Sequence, residues 1–281
     1  MASSCRRKEI DGYPDRVQIP TFSPGDDPGP DFAALLRRQG LVPEMPTGPV
    51  AAAGPVTHGT TVVALRYADG VVMAGDRRAT SGHLISHRSI EKVFAADRWS
   101  GVAIAGAAGP AMDMVKLFQL QLEHYEKVEG WPLSLEGKAN QLSAMVRNHL
   151  PAAMQGLAVV PLFAGFDTRR RLGRLFQYDI TGGRYEENDY ATSGSGGLHA
   201  ATVLKLGFRD GLERQAALDL ALHALVTAAD EDSATGGPDV RRNIWPVVAT
   251  IDGEGFTRID DEELADAYTR LLALTDGGSA R

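Results

Sequence analysis

The chain has 281 residues, 43% of them hydrophobic, and a formal net charge of −7 at pH 7. That length builds a substantial core in one large domain or two small ones, and the acidic balance disfavours a nucleic-acid surface, which needs a concentrated basic patch. The single cysteine, Cys5, excludes an internal disulfide framework, and no apolar run approaches the ~20 residues of a membrane span.

Composition changes near residue 60. Nine of the 15 prolines lie in residues 1–59, too many for that segment to pack a core of its own. Asp31–Leu41 reads as a helix there, with Asp31 as its N-cap. The leader is either a disordered tail or a pro-segment that is removed. Arg6-Arg7-Lys8 is followed by no apolar stretch, so a secretory signal is not expected and the chain reads as soluble and cytoplasmic.

From Thr60 the pattern is dense. TTVVALRY and GVVMAGD are β-branched runs that meet at Ala68-Asp69-Gly70, a predicted hairpin. EKVFAAD and WSGVAIAG read as two further strands. Met112, Val115, Phe118, Leu122 and Tyr125 recur at helical spacing, and a second helix is expected over Ser134–Met154. LAVVPLFAGFD, RLFQYDITGG and RYEENDYATSG return to strand character. Helices follow over Leu198–Leu206 and Leu212–Ala229, then a closing hairpin in WPVVATIDGEGFTRID and a last helix over Asp260–Leu272. Strands joined by hairpins argue against a doubly wound parallel sheet. The expected fold is α+β, a four-layer αββα sandwich of two antiparallel sheets between helix pairs.

The chemistry centres on Gly59-Thr60-Thr61. A threonine hydroxyl needs a base. An N-terminal threonine carries one in its free α-amine, whose pKa is about 7.7–8.0. Within the chain that nitrogen is an amide, and a cut after Gly59 would free it. Glycine before the threonine permits the tight backbone needed for the hydroxyl to attack its own preceding carbonyl. Paired threonines at a strand start are also ordinary strand composition, so the residues around them have to decide. Asp76 closes the second strand. Lys92 lies in an apolar run and either points to solvent, the default for a strand lysine, or is held inward by an acid such as Asp76. Inward, its charge would favour a developing alkoxide. AIAGAAG leaves backbone N–H groups near Gly106 for an oxyanion.

HGTTVVALRY, VVMAGDRRAT, EKVF, AGAAG, SGSGG and DEDSATGGPD, taken in order over residues 57–273, resemble the proteasome β-type subunit family, within the N-terminal nucleophile hydrolases. The long Pro-rich leader is similar to that of actinobacterial members. The resemblance implies a leader of residues 1–59 that the chain itself removes by cleavage between Gly59 and Thr60, and a catalytic domain of residues 60–281. It implies a threonine endopeptidase with Thr60 as nucleophile, Asp76 and Lys92 as its charged pair, Gly106 as oxyanion donor, and Ser195 and Asp232 beside the amine. Thr235 stands where many members have serine; its hydroxyl is expected to keep the hydrogen bond to the amine region. Gly197 replaces a frequent second serine. Ala79, Ile90, Phe94, Ile104, Ala108 and Met112 are expected to line an uncharged pocket that accepts bulky apolar residues, with Thr80 pairing to an extended substrate. No metal or organic cofactor is implied. The implied partners are α-type subunits. Homo-heptameric β rings would stack in a twenty-eight-subunit barrel, served by a ring-shaped unfolding ATPase and by substrates carrying a ubiquitin-like tag.

Other signals are weaker. His83 and His87 are four apart in an extended stretch without a third ligand. TSGSGG lacks the lysine of a phosphate-binding loop. Asp230-Glu231-Asp232 reads as a solvated helix end with one structural acid, and Arg169-Arg170-Arg171 as an exposed turn. Two rival readings remain. An inactive α-type ring subunit would lack the processed threonine. A small-amide hydrolase of the same superfamily would more often begin with cysteine or serine.

Overall fold

A computed structural model describes residues 59–82 and 84–278, with side chains described to residue 273. The proline-rich leader, with its expected Asp31–Leu41 helix and Cys5, lies outside the described residues, as does His83.

Strands β1 (Thr61–Tyr67), β2 (Gly70–Gly75), β10 (Tyr190–Gly194), β11 (Val247–Asp252) and β12 (Gly255–Arg258) form one sheet in the order β10-β1-β2-β11-β12. Strands β5 (Val93–Asp97), β6 (Ser100–Gly106), β7 (Val159–Asp167), β8 (Leu172–Tyr178) and β9 (Arg184–Glu187) form the second, in chain order. A short hairpin of β3 (Ala79–Ser81) and β4 (Leu84–His87) stands apart. The pairings within each sheet are antiparallel.

Helices α1 (Ala108–Glu129) and α2 (Leu135–Asn148) cover the second sheet through Val102, Phe118, Leu142 and Phe163. Helices α4 (Gly197–Gly207) and α5 (Arg214–Glu231) cover the first through Val63, Leu65, Leu204 and Leu225, and the last helix, α6 (Asp261–Gly278), packs on α5. Between the sheets lies a third apolar layer that includes Val62, Ala64, Met73 and Leu175. This is the expected four-layer αββα sandwich, two antiparallel sheets between helix pairs. It also explains why β1 and β2 read as continuous apolar runs: Val62 and Ala64 face the other sheet while Val63 and Leu65 face the helices.

Three local expectations change. The helix expected over Ser134–Met154 is two helices. Ser134 caps α2 by accepting the Gly137 N–H at 3.1 Å, α2 ends at Asn148, and a single turn, α3 (Leu150–Ala153), restarts around Pro151, which cannot donate to the preceding turn. RYEENDYATSG divides at Asn188-Asp189, so that β9 joins the second sheet and β10 the first. Lys92 sits one residue ahead of β5.

The register brings strand ends together. Thr61 pairs with Gly194 and Val62 with Gly75, so the residues just beyond those strands, Thr60, Ser195 and Asp76, converge at one edge of the sandwich. The helix-side core beneath is stiff: Phe163 meets Phe118 edge-on at 5.8 Å and Phe176 at 6.0 Å between ring centroids. Phe163→Ala is expected to cost about 3–5 kcal/mol in urea denaturation, the range for emptying a buried aromatic site; a loss under about 1 kcal/mol would contradict this packing.

Candidate active site

Asp76 is fully buried. Its Oδ1 accepts Lys92 Nζ at 2.6 Å and the Thr61 N–H at 2.9 Å. Its Oδ2 accepts the N–H groups of Arg78 and Gly236, both at 2.9 Å. A buried carboxylate with this many donors is compensated for the water it has lost. Lys92, 3% exposed, therefore points inward. Its Nζ also donates to Arg78 O at 2.6 Å and to Gly59 O at 3.4 Å. Burial pushes its pKa below the ordinary lysine value, and the Asp76 charge works against that shift.

Thr60 is 5% exposed and directly precedes β1. Its hydroxyl donates to Gly59 O at 2.7 Å, on the very peptide bond expected to break. Its N–H donates to Ser195 Oγ at 3.3 Å, and its carbonyl accepts the Ser195 N–H at 2.8 Å. The Ser195 hydroxyl donates to Asp232 Oδ2 at 2.5 Å, and Thr235 donates to the same oxygen at 2.6 Å. Burial raises the Asp232 pKa, but the hydrogen bonds from Ser195, Thr235 and the Ala234 N–H outweigh it and hold the carboxyl below the usual carboxylate range. The Thr235 hydroxyl thus serves Asp232 and Thr61, and the bond expected from it to the amine region runs through Ser195 instead. A Cβ on Gly197 would meet Thr192 at 3.4 Å or more, so that departure disturbs little.

Gly59 is required by space. A Cβ there would lie 1.9 Å from Ala234 Cβ and 2.6 Å from Ala234 O. Gly106 has φ +110°, a conformation that L side chains rarely adopt, and a Cβ there would meet Ala158 O at 2.1 Å. That turn carries β6 into α1.

Gly59, Thr60, Lys92 and Gly106 border one pocket with Ala79, Thr80, Ile90, Ile104, Ala108 and Met112. Phe94 does not line it. Phe94 pairs with Val102, one row farther along the sheet, and packs into the helix-side core, while Ala105 and Ala111 occupy the wall. With Gly59 in place the pocket has a volume of about 30 Å³, room for water and not for a large side chain. Thr80 Oγ1 accepts the Gly59 N–H at 3.3 Å. Among the described residues no group of three His, Cys, Asp or Glu is placed to hold a metal ion, and no helix is long and apolar enough to cross a membrane.

The family model described as Proteasome subunit matches residues 56–240. The chain belongs to the proteasome subunit family. Three curated relatives are each named Proteasome subunit beta. The one from Acidimicrobium ferrooxidans is 58% identical over 267 residues, covering 95% of this chain and 98% of its own. The one from Streptomyces griseus is 51% identical over 257 residues, 92% of each chain. The one from Jonesia denitrificans is 51% identical over 256 residues, 91% of this chain and 83% of its own.

Sequence reasoning missed part of this proteasome-subunit site. Thr61 is fully buried and bonds Asp76 through its backbone and Thr235 through its hydroxyl. The second threonine of the opening pair was its visible signal. The N–H groups of Arg78 and Gly236 on Asp76 come from backbone and leave no mark in side-chain chemistry.

The depressed Asp232 pKa gives a signed expectation. A carboxyl whose pKa is lower folded than unfolded adds stability above the ordinary carboxylate range, and that stability is lost as pH falls through the folded value. Asp232→Asn removes the titration. Its melting temperature is expected to fall less steeply with acid over that window than the parent's; parallel curves would contradict the hydrogen-bonded carboxylate.

Proposed function

We propose that this chain is the peptide-cutting β-type subunit of a proteasome core, a threonine endopeptidase made active by removal of its own leader. The observation that carries the reading is the Thr60 hydroxyl, 2.7 Å from the carbonyl oxygen of Gly59 and joined to it by a hydrogen bond. Maturation runs as an acyl shift. Thr60 Oγ1 loses its proton as it bonds to the Gly59 carbonyl carbon, the C–N bond to Thr60 breaks, and the nitrogen takes up that proton to become a free amine. Water then splits the Gly59 ester and releases residues 1–59. Lys92, 3.4 Å from Gly59 O, donates toward the oxygen on which charge develops.

The freed amine lies beside Ser195, which accepts from that nitrogen at 3.3 Å in the uncut chain. It takes the hydroxyl proton when Thr60 attacks a substrate carbonyl, directly or through a water. The Gly106 N–H stabilises the oxyanion, Lys92 tunes the local charge, and Asp76 holds Lys92. Ser195, Asp232 and Thr235 orient the amine. The leaving amine departs and water hydrolyses the ester. The apolar wall of Ala79, Ile90, Ile104, Ala108 and Met112 favours cutting after bulky apolar residues. Admitting one requires Gly59 to leave and the flexible Met112 to move aside.

The same reading includes assembly with α-type subunits in stacked heptameric rings, unfolded and tagged proteins delivered by a ring ATPase, and a cytoplasmic location. The test is intact mass after assembly with an α-type partner. The parent chain is expected to lose residues 1–59 and to hydrolyse fluorogenic peptides after bulky apolar residues, and Ala108→Val to reduce that acceptance. Thr60→Ala is expected to stay full-length and inactive. A cut and active Thr60→Ala particle would end the proposal.

A further inference from the structure

The two halves of the site meet at a residue to which the scheme above gives no part. Thr61 is buried completely. Its N–H donates to Asp76 Oδ1 at 2.9 Å, on the Lys92 side. Its hydroxyl lies 2.6 Å from Thr235 Oγ1 and 3.0 Å from the Gly196 nitrogen, on the Asp232 side.

Proton counting fixes the direction of these bonds. The Gly196 N–H only donates, so Thr61 Oγ1 accepts from it. Thr235 has one hydroxyl proton, and it goes to Asp232 Oδ2 at 2.6 Å. The proton between the two threonines is therefore Thr61's. The chain runs from Gly196 through Thr61 and Thr235 to Asp232. Ser195 closes it, donating to the same Oδ2 and accepting the Thr60 N–H. Hydrogen bonds aligned in this way polarise one another and hold each hydroxyl in one orientation.

The loop is shaped around the pair. A Cβ on Gly196 would lie 2.4 Å from Thr61 Oγ1 and 2.8 Å from Thr235 Oγ1, so a side chain there would displace both hydroxyls. Valine has the shape of threonine and is an equally good strand residue. If packing were all that mattered, the hydroxyl at position 61 would be dispensable.

We propose that Thr61 is a positioning residue for the reaction at Thr60, its hydroxyl aligning Thr235, Asp232 and Ser195 while its N–H fixes Asp76. The inference rests on the reading of Thr60 as nucleophile. Without the hydroxyl, the Gly196 N–H loses its acceptor in a buried place and Thr235 loses the donor that orients it. Ser195 and the amine it faces then lose definition, which slows the chemical step more than it weakens peptide binding.

The experiment uses particles assembled with an α-type partner, with kcat and KM measured on one fluorogenic peptide and normalised to chains cut at Thr60 by intact mass. Thr61→Val is expected to lower kcat about tenfold while KM stays within about twofold, the signature of an interaction used in the transition state. Thr61→Ser, which keeps the hydroxyl, is expected to stay within about twofold of the parent in both. Thr61→Val combined with Thr235→Val is expected to lose little more than either alone, because both break one chain. Parental kcat in Thr61→Val overturns the proposal. A tenfold loss in Thr61→Ser overturns it whether or not the valine variant assembles. Thr60→Ala is the control: activity that survives it defeats the nucleophile reading itself, whereas an inactive control beside unaffected Thr61 variants defeats this inference alone.

Discussion

A carboxylate without exposed surface and an ammonium 2.6 Å from it organise this site. Taking two charges out of water costs several kcal/mol per ion, and apolar replacements of such pairs are often neutral or stabilising. Stability alone is a weak reason for Asp76 and Lys92. Their geometry gives a better one. Asp76 takes three backbone N–H groups, from Thr61, Arg78 and Gly236, and so ties β1, the turn after β2 and the loop after α5 to one point. Lys92 is held against that point with its remaining protons directed to Arg78 O and Gly59 O. Removing one partner would strand the other, at about 3–5 kcal/mol.

The sandwich makes this arrangement possible by bringing strand ends together. Thr60 enters β1, Asp76 leaves β2, Lys92 enters β5, Gly106 leaves β6 and Ser195 leaves β10. Each is one residue outside its strand or at its last position. There the last backbone hydrogen bonds of the ladder, such as Asp76 N–H to Thr61 O and Ser195 N–H to Thr60 O, still hold the chain while the side chains stand clear of the sheet interior. Rigid strands set the positions and the short loops set the directions, an arrangement suited to holding a hydroxyl and a nitrogen of the same residue in place. The three apolar layers beneath leave the strands little room to shift.

Much of this was legible in the sequence, for identifiable reasons. Hairpin spacing and apolar runs located the strands, and helical periodicity located the long helices. Thr60, Asp76 and Lys92 each have an ordinary strand explanation alone, and they stood out only as a set, by an order and spacing that resemble the proteasome β-type family. What stayed hidden depends on long-range placement. Both halves of RYEENDYATSG are extended, and nothing local says that Asn188-Asp189 passes the chain from one sheet to the other. Phe94 falls one row away from the pocket because its strand pairs Phe94 with Val102. Thr61 looked like an ordinary strand threonine. Its partners Thr235 and Gly196 lie 174 and 135 residues away in the chain, beyond any local pattern.

The central question is whether the buried ammonium enables the chain to cut itself. Lys92→Met keeps the length and apolar stem of the side chain and removes the charge. In particles whose assembly with an α-type partner is verified by native mass, the masses of the subunits give the answer directly. The account predicts chains that keep residues 1–59 while parent chains lose them. Lys92→Met chains cut before Thr60 at the parent's rate would contradict it.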